Sequence, residues 1–227
     1  MDEFLSEKEQ LERIRDWWRE NGWYLIGGAA LGAVLLFGWT QYRAYQQQRI
    51  ETASNLYEEM SRAVLDRAEA QATDLLDELR AEYPSSPYTD QAGLLYASLM
   101  LDGQRSDDAV AALRYVLGDT DDPQLALVVR LRLARLLLHL DRLDDALAVI
   151  AEVRDPGRFV GLFSELRGDI YLAQGDQQQA RTAYLEAFNS EYPEVVDRNM
   201  LQMKIDDLPA AAVALADPER ADPEGDL

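Results

Sequence analysis

The sequence predicts an all-α protein, with a single N-terminal transmembrane helix followed by a solenoid of paired helices. Two observations carry this. Residues 21–42, NGWYLIGGAALGAVLLFGWTQY, hold no charge, whereas the rest of the 227-residue chain is polar and acidic. Beyond them, a pivotal alanine followed four positions later by a large side chain recurs every 34 to 37 residues, the mark of one supersecondary unit stacked repeatedly. No stretch reads as a strand.

Residues 1–20 form an N-terminal segment with seven acids and four bases. Leu11, Ile14 and Trp18 recur there at i, i+3 and i+7. That stripe fits an amphipathic helix on the membrane or on a partner, and it equally fits a plain lead-in helix. The uncharged run 21–42 spans about 33 Å at about 1.5 Å per residue, against about 30 Å of hydrocarbon, so one crossing fits. Trp23 and Tyr24 stand at one end and Trp39 and Tyr42 at the other, where amphipathic rings settle among headgroups. A cleavable signal would need a basic start, a shorter apolar run and a small-residue cleavage site, and the run is therefore read as a retained anchor. Lys8, Arg13, Arg15 and Arg19 precede it, while Arg43, Arg49 and Arg62 follow, which favours a cytoplasmic N-terminus and places the remainder on the opposite side. Gly28 and Gly32 form G-x-x-x-G, a small face that lets another helix approach; glycine is also common in membrane helices that have no partner.

Residues 43–208 are expected to form the solenoid. The pivots are Ala72, Ala109, Ala146 and Ala180, each followed by its large partner Leu76, Leu113, Ile150 or Tyr184. Twelve residues before the last three pivots stand further small residues, Ala97, Ala134 and Gly168. Two facing small positions let paired helices pack closely, and the period is that of tetratricopeptide-like pairs. Tyr171 and Ala187 match the aromatic and late alanine of that repeat, and Pro84 closes the first copy. Gly103, Asp141 and Gly175 with Asp176 are assigned to the short turns, and Arg154 to Phe163, with Pro156 and Gly157, to a linker. Terminal repeats need caps. Residues 43–65 are expected to cover the first pair, and Val195 to Leu208, through Val196, Met200, Met203 and Ile205, the last. The stretch 209–227, with three prolines and five acids, reads as a disordered acidic tail.

The chain has no cysteine, which excludes disulfides, thiolate metal sites and cysteine nucleophiles. A formal net charge of -20 argues against nucleic-acid and anionic-lipid partners, which need clustered Lys and Arg. His139 is the only histidine, so no His-based metal cluster is expected. The pairs Asp107-Asp108 and Asp144-Asp145 recur at one repeat position and are read as capping helix starts rather than as catalytic carboxylates. No phosphate-cradling loop, zincin motif or nucleophile elbow appears, so the chain is expected to be no enzyme and to need no cofactor. What remains is the concave face of the first helices, where the register places Leu94, Leu101, Leu131, Arg135, Leu138, His139, Leu162, Asp169 and Leu172. These positions fit a groove for an extended or unfolded chain, and they fit inter-helix core equally well.

Glu20-Asn21-Gly22, Gly38-Trp39, Leu131-Arg132-Leu133-Ala134-Arg135, Leu166-Arg167-Gly168-Asp169 with Gly175-Asp176, and Met203-Lys204-Ile205-Asp206-Asp207-Leu208 follow one another in fixed order after a single span. In this the chain resembles the YfgM family of bacterial inner-membrane proteins over residues 7 to 208. The resemblance implies an ancillary subunit of the SecYEG translocon, anchored once in the inner membrane with its tetratricopeptide domain in the periplasm. It implies a chaperone or scaffold for emerging and newly secreted proteins, working beside the membrane-anchored periplasmic chaperone PpiD, and it transfers no active site. The tail after Leu208 and Trp17-Trp18 depart from the family pattern. Read from the residues alone, the same solenoid also fits a membrane-anchored structural adaptor for envelope assembly, in cell division, the cell wall or outer-membrane complexes.

Overall fold

The computed structural model describes residues 7–209, and among them it contains nine α-helices, two 3-10 turns and no strand. The helices are α1 (Glu7–Leu65), α2 (Glu69–Glu82), α3 (Pro87–Asp102), α4 (Ser106–Asp119), α5 (Pro123–His139), α6 (Leu143–Ala151), α7 (Val160–Ala173), α8 (Gln177–Phe188) and α9 (Arg198–Asp206). All but Pro209 of the expected acidic tail lies outside the described residues, as do the first six residues of the N-terminal segment.

The chain divides into two units after Leu56. In the first, α1 runs unbroken through the expected lead-in segment and span. Its apolar side chains from Trp23 to Tyr42 are exposed around the helix, as a lipid-facing segment requires, and among the described residues it is the one helix long and apolar enough to cross a membrane.

In the second unit the repeat is written into the backbone. Arg67, Gln104, Asp141 and Gly175 have positive φ, from 56° to 81°, and each stands five residues before a pivotal alanine. All four end a helix in the same way. The Gln104 amide donates to the Leu101 carbonyl and the Arg105 amide to Met100; Asp141 and Arg142 repeat this with Leu138 and Leu137, Gly175 and Asp176 with Leu172 and Tyr171, and Arg67 and Ala68 with Val64 and Ala63. These closures satisfy carbonyls that a helix end leaves unpaired. The left-handed residue of the second turn is thus Gln104, not Gly103, whose φ is -79°. The Arg67 turn makes the last residues of α1, with buried Met60 and Ala63, the first helix of a pair with α2, in place of the covering helix expected from 43–65.

Packing follows the small positions. Ala72, Ala109, Ala146 and Ala180 are fully buried, as is Ala134, with Ala97 at 3% exposure. In the last pair the Tyr184 ring lies against the backbone of Gly168, where a Cβ would meet ring carbons at 2.4 Å. In the second pair Gly93 plays the same part for Val116, whose Cγ2 would stand 2.4 Å from a Cβ. Consecutive helices pack on one another from α2 through α9, and α5 also packs on α7.

The helix starts depart from expectation in one respect. Asp122, Asp176 and Asp197 cap α5, α8 and α9 through their side chains, but the repeated pairs Asp107-Asp108 and Asp144-Asp145 lie inside the first turns of α4 and α6, whose N-cap residues Arg105 and Arg142 make no side-chain cap. The acids face the macrodipole there and hold the arginines. Arg105 pairs with Asp108 at 2.6 Å and reaches back to Glu69, and Arg142 pairs with Asp145 at 2.7 Å and reaches back to Asp107 at 3.3 Å, so adjacent repeats are laddered on their exposed edge. The expected linker is shorter than predicted. Asp155 accepts from the Gly157 amide, Gly157 turns at φ 47°, a 3-10 turn covers Gly157–Phe159, and α7 already includes buried Phe163.

The Gly168 contact makes a sharp prediction. Gly168→Ala forces a methyl group into the Tyr184 ring and is expected to destabilise the array by about 1–3 kcal/mol. Gly118→Ala on α4, where a Cβ meets nothing within 4 Å, is expected to leave stability unchanged or raise it by up to about 1 kcal/mol. Thermal denaturation followed by circular dichroism distinguishes the two, and equal melting of both variants would refute the close contact.

Candidate functional site

The face of the first helices is assembled from α3, α5 and α7. Leu101 and Leu172 are 41% and 42% exposed, Arg135 and His139 are exposed, and Leu94 and Leu138 are half-buried. Leu131 is only 4% exposed and belongs to the helix packing. Leu162 is half-buried against the cluster formed by α8 and the C-terminal segment, and Asp169 is turned toward that end as well. Because α5 and α7 pack on each other, Arg135, Leu138, His139 and Leu172 stand on neighbouring helices.

Asp169 belongs to a network that sequence reasoning missed. Its Oδ1 accepts from the Tyr184 hydroxyl at 2.8 Å and from Lys204 Nζ at 2.7 Å, and Lys204 also donates to Glu165 Oε1 at 2.9 Å. The ammonium lies 5.3 Å from the centre of the Tyr184 ring. Glu165 and Asp169 are i, i+4 on α7, so one compact lysine on α9 bridges both. The signal available in the sequence was that Lys204 is one of only two lysines in a chain that otherwise uses arginine. Nearby, Arg181 Nη1 donates to the Ile205 and Leu208 carbonyls, closing the end of α9. Val196, Leu201, Ile205 and Leu208 form the buried face of this cap. Of the residues expected to cover the last pair, Met200 and Met203 are instead exposed at 47% and 61%, while Leu201, which periodicity did not single out, is fully buried.

Burial alone would lower the Lys204 pKa, but its hydrogen bonds and charge attraction to Asp169 and Glu165 outweigh that and raise it. Burial, then the hydrogen bond and charge of Asp169, raise that of Tyr184. Two other features are locally satisfied. An apolar cleft of about 380 Å³ between α6 and α7 is lined by Leu147, Ile150, Val160 and Phe163, and its Arg167 is held by Ser164 and Glu186. An acidic hollow holds Asp90, Asp119, Asp121 and Asp122; burial and the three neighbouring acids raise the Asp90 pKa against the opposing hydrogen bond from Thr120. Among the described residues no group of three or more acids, histidines or cysteines is arranged to hold a metal ion.

On α1, Gly28 and Gly32 are open, with nothing within 4 Å of the positions a Cβ would take. At the far end of the span the Arg43 guanidinium lies 5.3 Å over the Trp39 ring, with Tyr42 beside it, a cation and two rings arranged as at a headgroup layer.

A model of the tetratricopeptide repeat-like domain family matches residues 15–210. A protein of Escherichia coli K12 named an ancillary SecYEG translocon subunit is 30% identical over 208 residues, covering 92% of this chain and 99% of its own length. Proteins with the same name from Neisseria gonorrhoeae and Haemophilus influenzae are 31% and 28% identical, each over 90% of this chain and 98% of their own. The chain belongs to the YfgM family. No solved structure matches it. The match agrees with the predicted fold class: the described residues of this chain are all-helical, with one N-terminal helix long and apolar enough to span a membrane and a tetratricopeptide-like array.

The lysine network predicts alkaline lability. Both raised groups favour the protonated form in the folded state, so their stabilisation is full below the ordinary values of 10.5 for lysine and 10.0 for tyrosine and is lost as pH rises through and beyond them. Lys204→Met strands two carboxylates and is expected to cost about 1–3 kcal/mol at neutral pH. Because all four tryptophans lie at positions 17, 18, 23 and 39, the check is urea denaturation followed by circular dichroism rather than tryptophan fluorescence. Unchanged stability in Lys204→Met would contradict the network.

Proposed function

We propose that this chain is an ancillary subunit of the bacterial Sec translocon and acts through protein binding, without chemistry of its own. The α1 span anchors it in the inner membrane with a cytoplasmic N-terminus, and the helical array works on the periplasmic side as a chaperone or scaffold for emerging and newly secreted proteins, beside a membrane-anchored chaperone of the PpiD kind. The observation that carries this reading is similarity along nearly the whole length to proteins named as translocon subunits, with the membrane helix inside the matched region. Gly28 and Gly32 offer the span a face for a neighbouring membrane helix. Leu101 and Leu172, exposed without apolar cover, offer the array contacts for extended polypeptide.

Site-specific photo-cross-linking in intact membranes tests this. A photoreactive side chain in place of Gly28 or Gly32 is expected to capture SecY, SecE or SecG, and one in place of Leu101 or Leu172 to capture secretory chains during export. Exclusive capture of folded cell-division or cell-wall proteins from both sets would overturn the proposal, and so would cleavage of the array by protease applied only from the cytoplasmic side.

A further inference from the structure

One face of α5 carries charge that nothing else in the array engages. Arg132, Arg135 and His139 recur at i, i+3 and i+7 and fall within about 60° of one another at about 100° per residue. All three are exposed, opposite the buried Leu133, Ala134 and Leu137. Neighbouring basic groups are committed: Arg105 to Glu69 and Asp108, Arg130 to Glu152, Arg142 to Asp107 and Asp145, Arg167 to Glu186, and Lys204 to Glu165 and Asp169. Neither Arg132 nor Arg135 makes an ion pair, a hydrogen bond or a ring contact with any described residue. The acid best placed by register, Asp169, stands one repeat beyond Arg135 on the adjoining α7, but its Oδ1 is already taken by Lys204 and Tyr184. In a chain with 42 acids and 22 basic groups, Arg132 and Arg135 thus stand together on one helix face without a carboxylate, where Arg114 and Arg154 stand unpaired singly, with half-buried Leu138 on the same helix and exposed Leu172 on the adjoining α7.

Free guanidiniums present planar, paired donors that match carboxylates, and an apolar surface beside them favours a ligand that carries both. Nucleic acid and anionic membrane fit poorly, because a chain of net charge -20 repels an extended polyanion and offers it only this short stripe. We infer that the Arg132, Arg135 and His139 face of α5 binds an acidic extended segment of a partner protein, with carboxylates on the two guanidiniums and apolar side chains over Leu138 and Leu172. This rests on the proposed polypeptide-binding role of the array and adds a charge preference to it.

The test uses the full chain in lipid nanodiscs and a fluorescein-labelled twelve-residue peptide of alternating glutamate and leucine, with a counterpart carrying glutamine for glutamate. Fluorescence anisotropy is expected to show about tenfold tighter binding of the acidic peptide at low salt, a gap that closes as salt screens the pairs. The double variant Arg132→Gln with Arg135→Gln is expected to bring the acidic peptide down to the affinity of its counterpart while leaving the counterpart unchanged. Arg114→Gln, another exposed arginine, is expected to change neither, and circular dichroism verifies that the variants fold. Equal binding of both peptides by the unaltered chain overturns the charge preference and leaves the polypeptide-binding reading standing; binding of neither overturns both. If a chain ending at Leu208 binds the acidic peptide about tenfold more tightly than the full chain, the occupant is the chain's own acidic tail and the assignment to a partner falls.

Discussion

The second unit depends on how closely two helices approach where one of them carries almost no side chain. Tyr184 packs the Cδ1 and Cε1 side of its ring against the backbone of Gly168, and the pivotal alanines repeat a milder form of the contact in earlier pairs. A chain without cysteine has no covalent staple, so its stability must come from dispersion and apolar burial across such contacts. The left-handed turns serve the same end. By closing each helix through identical hydrogen bonds at Arg67, Gln104, Asp141 and Gly175, they bring the next pivot back against the preceding helix at a fixed offset. Three of these four residues are not glycine and accept the cost of a positive φ, about 1 kcal/mol each, because the turn is required there.

A stack of such pairs must end, and its two ends are handled differently. At the N-terminal end the last residues of α1 serve as the first helix of a pair, with Met60 standing where later pairs have Ala97, Ala134 and Gly168. At the C-terminal end of the described residues α9 is held by an apolar cluster and by polar contacts, with Lys204 reaching Glu165 and Asp169 and Arg181 reaching the Ile205 and Leu208 carbonyls. Asp169, held in this C-terminal cap, makes no ion pair with Arg135 or Arg132 on the adjoining α5.

The sequence spoke most plainly where periodicity alone decides structure. The uncharged run, the pivots and the twelve-residue offset led directly to the span and to the paired helices, because each depends on residue size and polarity at fixed intervals. Features that depend on which of two similar residues faces which neighbour were less visible. Gln104 rather than Gly103 takes the left-handed conformation because the turn register, not residue preference, chooses the position. Leu201 rather than Met200 or Met203 is buried because α9 is rotated to bring Lys204 onto α7. On the face of the first helices, Leu131 and Asp169 share a stripe with Leu101 and Leu172 by spacing, yet packing draws the first into the core and a lysine 35 residues away draws the second to the cap.

These observations describe an array of tight helix pairs in a chain that also carries a helix long and apolar enough to cross a membrane. The tightest packing in the second unit lies at the α7 and α8 contact and its C-terminal cap. Amide hydrogen exchange on the full chain in nanodiscs tests that most directly. Amides of α7 and α8 around Gly168 and Tyr184 are expected to exchange slowest in the unit, with α9 protected alongside them and α2 opening sooner. Exchange around Gly168 and Tyr184 as fast as in α2 would contradict that expectation.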